Sequence, residues 1–130
     1  MRKWIVVIWM AGLAVTPGMA VGHEGESHGE TQEHGGATQV VSGEVVDLAC
    51  YLAEGAQGPG HLECAKKCIA SGLPVGIKSG DELYLAVGSE HGPANATLAP
   101  LAAKQVTAEG VVTERNGVHL IAIKTVKVME

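Results

Sequence analysis

The chain has no phenylalanine, and its aromatic residues are two tryptophans and two tyrosines among 130 residues. Both tryptophans, Trp4 and Trp9, fall in the first ten positions, so the rest of the chain has only Tyr51 and Tyr84. Basic residues are few as well, nine Lys and Arg against fourteen Asp and Glu. Binding to nucleic acid needs a basic footprint, and single-strand binding needs aromatic platforms for the bases. With both lacking, no nucleic-acid partner is expected. A phosphate-cradling glycine loop, a Ser–His–Asp spacing and a paired-carboxylate site are also missing, so a non-enzymatic role is expected. The longest apolar run, residues 4–15, is short of the about 20 residues that cross a bilayer.

That run has another reading. Arg2 and Lys3 precede it, and Gly18-Met19-Ala20 puts small residues at a cleavage site, so residues 1–20 are expected to be a secretory signal peptide. No cysteine sits at the cleavage site, which argues against a lipid anchor, and no membrane association is expected after cleavage. The mature chain would be periplasmic or secreted. Without Arg2 and Lys3 it has seven basic residues against fourteen acidic ones, a net charge of −7. It is long enough for one domain, with a thin core of Val, Leu, Ile and Ala. Small domains with thin cores often take part of their stability from a disulfide or a metal.

Residues 21–38 have no apolar periodicity and much glycine, and are expected to be a disordered His/Glu/Gly-rich tail. The tail has His23, His28 and His34, weaker candidate ligands for Cu²⁺, Zn²⁺ or Ni²⁺. It reads equally well as a solvated, charged linker.

Residues 39–130 are expected to fold as a mainly β domain. Valine-rich residues 38–48 predict a first strand, with a bulge or sharp bend at Gly43. Residues 74–78 and 83–87 read as a hairpin across the turn at residues 79–81, with Leu83, Leu85 and Val87 on one face. Residues 96–104 suggest a short helix and residues 105–114 a fourth strand. Asn116-Gly117 is a strong turn signal, because a type I′ turn needs positive φ at both positions. Residues 118–129 form a fifth strand that is apolar on both faces in its middle, so it is either buried on both sides or bulged. Apart from a cysteine-bearing helix, this order resembles a small five-stranded OB-like barrel. Such a resemblance assigns no function.

The chemistry concentrates between Asp47 and Pro74, which contain all three cysteines, Cys50, Cys64 and Cys68, together with His61. Pro59 can start a helix, while Gly72 and Pro74 end it, so a helix is expected at about residues 59–71. On it His61, Cys64 and Cys68 fall within about 60° of arc, beside an apolar stripe that includes Ala65 and Ile69. Cys50 is expected at the end of the first strand, within reach of that flank. Three readings remain open. One disulfide would staple a binding module for a protein or small ligand and leave a spare thiol. Cys50, His61, Cys64 and Cys68 would make a Cys₃His site for a Cu or Zn ion. An odd thiol attacking a bridge would give thiol–disulfide exchange, although no thioredoxin-like motif accompanies it.

Cys50, Tyr51, Gly55, Ala56, Gly58, His61, Cys64, Ala65, Lys67, Cys68, Ile69, Gly72 and Pro74 give a motif that resembles a group of small secreted bacterial proteins. The resemblance implies export and a strand-rich segment after the motif, and no activity. By export and architecture alone the chain is also similar to small periplasmic OB-type copper-binding proteins, but Met129 is the one methionine after residue 20 and excludes a methionine-based copper site. The expected function is binding or handling of Cu or Zn in the periplasm, with a periplasmic protein as a further partner.

Overall fold

The computed structural model describes residues 36–130. The expected signal peptide, and His23, His28 and His34 with it, lie outside the described residues. Five strands alternate with short helices: β1 (Ala37–Asp47), α1 (Leu48–Glu54), a 3-10 turn (Pro59–His61), α2 (Leu62–Ala70), β2 (Val75–Ser79), β3 (Glu82–Gly88), α3 (Asn95–Leu98), a second 3-10 turn (Ala99–Leu101), β4 (Gln105–Arg115) and β5 (Val118–Val128).

The strands close into a barrel in the order β1-β2-β3-β5-β4. β3 and β5 pair in parallel, and the other pairs are antiparallel. This is the small OB-like barrel expected from the element order. No helix among the described residues is long and apolar enough to cross a membrane.

β1 pairs with β4 through residues 37–44 and with β2 through residues 44–47, so it turns from one neighbour to the other at Gly43–Glu44. Gly43 is needed there, since a Cβ would come within 2.1 Å of the Lys78 carbonyl oxygen. β1 begins at Ala37, so the last residues assigned to the tail are strand. Asn116 and Gly117 both have positive φ, 53° and 79°, as the type I′ turn requires. Ile121 and Ala122 in β5 are both buried, and just beyond them Lys124 is skipped in the β4–β5 register. Both expectations for that strand therefore hold.

The core packs Val45, Ile77, Tyr84, Ala86, Val106, Ala108 and Ile121 inside the barrel. Ala65 and Ile69 of α2 and Leu98 of α3 join the same cluster, so α2 packs into the core with its apolar stripe inward. In β3 the interior takes Tyr84 and Ala86, while Leu83, Leu85 and Val87 share the outer, half-buried face. The register carries that outer face from Leu85 to Gly76 and on to Val46, where Leu48 closes over it: a Cβ on Gly76 would lie 2.8 Å from the Leu48 side chain. The barrel thus has a second, smaller apolar layer outside it, beneath the start of α1.

The connection between β1 and β2 departs most from expectation. Cys50 is not at the end of β1 but in the first turn of an additional helix, α1. Both ends of that helix are encoded locally. Asp47 has an extended backbone and its Oδ1 accepts from the Ala49 N–H at 3.0 Å, while Gly55 has φ 69° and its N–H donates to the Tyr51 carbonyl. The helix expected at 59–71 is a 3-10 turn followed by α2, with His61 at the junction. The helix expected at 96–104 is likewise α3 plus a 3-10 turn containing Pro100, which cannot donate a helical N–H bond.

Candidate functional site

α1 and α2 form one site because each is anchored at a different point. α1 starts directly from the end of β1, and Leu48 is its one buried residue. Its N-cap, Asp47, is fully buried. α2 is held by Ala65 and Ile69 in the core and by Asn95, whose Nδ2 donates to the carbonyls of Ile69 at 2.8 Å and Leu73 at 2.7 Å. Gly58, in the loop between the helices, donates its N–H to Glu44 on β1. Cys50 on α1 and Cys64 and Cys68 on α2 therefore face one another from two rooted elements.

The sulfurs of Cys50, Cys64 and Cys68 all lie within 4.8 Å of one another. All three are free thiols; Cys50 and Cys68 are half-buried and Cys64 is exposed. Cys50 belongs to a second group as well: a carboxylate oxygen of Asp47, the Cys50 sulfur and a ring nitrogen of His61 also lie within 4.8 Å of one another. Of the four residues expected to share one centre, the structure places the three cysteines together. His61 meets that cluster through Cys50, on the side where Asp47 stands.

Asp47 was not among the candidates the sequence suggested. The available signal was its position, a helix N-cap three residues before a cysteine. His91 and His119 take no part in either group. His91 is exposed in a loop, and His119 on β5 packs edge-on against the Tyr84 ring at 5.3 Å.

The electrostatics favour the protonated form of Cys50 and of Cys68. Cys50 is pushed from 9.0 up to about 12, first by the adjacent Asp47 side chain, whose carboxylate favours the protonated thiol, then by burial and by the Asp47 charge. Burial also raises Cys68, with a side-chain interaction with Cys64 next in size. Two polar atoms have no hydrogen-bond partner among the described residues although they are buried, Asp47 Oδ2 and His61 Nε2. Buried polar groups are nearly always paired, so these two point to something else facing them.

Chemically, three thiols at this separation suit a soft or borderline cation. In a tetrahedral or trigonal site with metal–sulfur bonds of about 2.3 Å, sulfurs stand about 3.8–4.0 Å apart, a spacing compatible with a cluster whose sulfurs lie within 4.8 Å of one another. Compared with protein families, curated proteins and solved structures, the chain matches none.

Proposed function

We propose that this is an exported protein that binds and hands on a soft metal ion, copper(I) in preference to zinc, through Cys50, Cys64 and Cys68. The observation carrying this reading is the convergence of three free thiols from α1 and α2 within 4.8 Å. An all-sulfur donor set suits Cu⁺ best, and a fourth donor would suit Zn²⁺. Each thiol must lose its proton to become a ligand, so uptake competes with protons and strengthens as pH rises. The exposure of Cys64 fits handling rather than permanent storage, because an incoming thiol of a partner can reach the ion from that side. The helix positions fit an exchangeable site: the barrel strands pair with one another and the three cysteines lie on the helices outside that ladder.

Thiol counting tests the proposal. Metal-free, reduced protein should show three reactive thiols, and one equivalent of Cu⁺ or Zn²⁺ should protect all three. Two thiols lost to a disulfide in protein taken from an oxidising compartment, with a third indifferent to metal, would instead establish the stapled binding module.

A further inference from the structure

We infer that the centre holds two cations side by side, a soft monovalent ion among the three thiolates and a borderline divalent ion between Asp47, His61 and Cys50, with the Cys50 sulfur bridging them. The inference rests on the thiol site just proposed. It starts from the shape of the donor set. Asp47 and His61 form one group of mutually close donors, Cys64 and Cys68 another, and only Cys50 belongs to both. An ion bound at about 2.0–2.3 Å by all its ligands keeps any two of them within about 4.6 Å. Each triad falls within 4.8 Å, whereas the five donors do not form one such group. A single ion would have to leave out one side.

The side it would leave out is already unsatisfied. Asp47 is fully buried, and its Oδ1 is used by the Ala49 N–H while its Oδ2 accepts from nothing. His61 Nε2 is buried and equally without a partner. The two groups face the same thiol and do not bond to each other. A buried carboxylate oxygen and a buried imidazole nitrogen left open in this way carry a full desolvation penalty, which a cation between them would offset.

Charge argues the same way. Three thiolates and the Asp47 carboxylate total four negative charges, and one Cu⁺ leaves three of them uncompensated. Adding a divalent ion leaves one. Lys66 and Lys67 are exposed, so solvent screens their contribution. The donor types also separate. Three sulfurs select a soft ion, whereas one oxygen, one nitrogen and one sulfur suit Zn²⁺, Co²⁺ or Cu²⁺.

The test loads the full reduced chain with one equivalent of Cu⁺ under anaerobic conditions and then titrates Co²⁺, reading stoichiometry by native mass spectrometry and the thiolate-to-Co²⁺ charge-transfer band by absorption. Wild type should take one Cu⁺ and then one Co²⁺ that shows the sulfur band, because Cys50 is among its ligands. D47N keeps the helix cap, and H61Q removes no described hydrogen bond. Both should retain the Cu⁺ and bind Co²⁺ at least about a hundredfold more weakly, with the sulfur band lost. If wild type takes Cu⁺ but no Co²⁺ with a sulfur band, or if both variants match wild type, the second position is overturned and the thiol site stands. If wild type takes no Cu⁺ while its three thiols stay reactive, the thiol site itself is overturned.

Discussion

Asp47 and Cys50 stand three residues apart at the first turn of α1, and one carboxylate serves both the helix and the thiol. Its Oδ1 receives the Ala49 N–H at 3.0 Å, and its presence is the main reason that the Cys50 proton is held up to about pH 12. A cation that replaces this proton keeps an anion beside it, so the metal-free state is poised to exchange protons for metal.

Metal uptake at neutral pH should therefore release protons. One Cu⁺ should liberate at least the protons that Cys50 and Cys68 hold, measurable in weakly buffered solution with an indicator dye. Cys50 should also be the slowest of the three thiols to alkylate, and D47N should speed it, because its largest perturber is gone.

Metal-free stability should fall at alkaline pH. The folded chain holds the Cys50 proton up to about pH 12 while the unfolded chain loses it near 9.0, so the unfolded state binds fewer protons between those values. The contribution is intact below pH 9.0 and is lost as pH rises towards 12. Cys68 and Tyr84 are raised too and add to the same trend. Denaturation followed from pH 8 to pH 11 should show the decline, and D47N should flatten it.

The cap itself can be separated from the charge. D47A should cost about 1 kcal/mol, which in a domain of this size lowers the melting temperature by about 4–8 °C, whereas D47N should stay within a few tenths of a kcal/mol. D47A should also weaken Cu⁺ binding, because a frayed α1 no longer presents Cys50. Circular dichroism melts and a competitive Cu⁺ chelator give the two readouts. Equal melting temperatures for both variants would mean that the cap does not hold α1.

Gly43 and the Asn95 side chain carry the frame. G43A forces a Cβ onto the Lys78 carbonyl and should destabilise the domain by about 1–3 kcal/mol or more, as overpacking a closed site does. G60A meets open space and should be nearly neutral. N95A should cost about 1–3 kcal/mol, since it leaves the carbonyls of Ile69 and Leu73 without the donor that ties α2 to α3. Urea denaturation distinguishes all three.

Much of this was legible from local signals. Alternation, the Asn116-Gly117 turn and the glycine in β1 lead to the strands and their order. The helical projection placed Ala65 and Ile69 inward, with Cys64 and Cys68 on the flank. The miss was α1. Its valine-rich approach reads as one continuous strand through Leu48, and the Asp47 cap and Gly55 terminator were hidden between two louder signals, the strand and the cysteine helix. That miss moved Cys50 by one element and removed Asp47 from view. The face of β3 was ambiguous for a different reason. Leu83, Leu85 and Val87 are the more apolar set, but an outer layer under Leu48 half-buries them while Tyr84 fills the barrel. Which face points inward depends on what covers the outside, and that is a tertiary fact.

α1 and α2 are not equally rooted. α2 is packed into the core by Ala65 and Ile69, while α1 rests on the outer face at Gly76 through Leu48 and leaves Leu52 71% exposed. Opening free energies follow such differences, so in hydrogen exchange the α1 amides should report small local openings and the Ile69 turn should report global ones. An ion clamped between Cys50 and the two α2 cysteines would merge those two units into one. The exchange rate of a seven-residue helix would then serve as a gauge of metal occupancy, readable amide by amide without any probe of the metal itself.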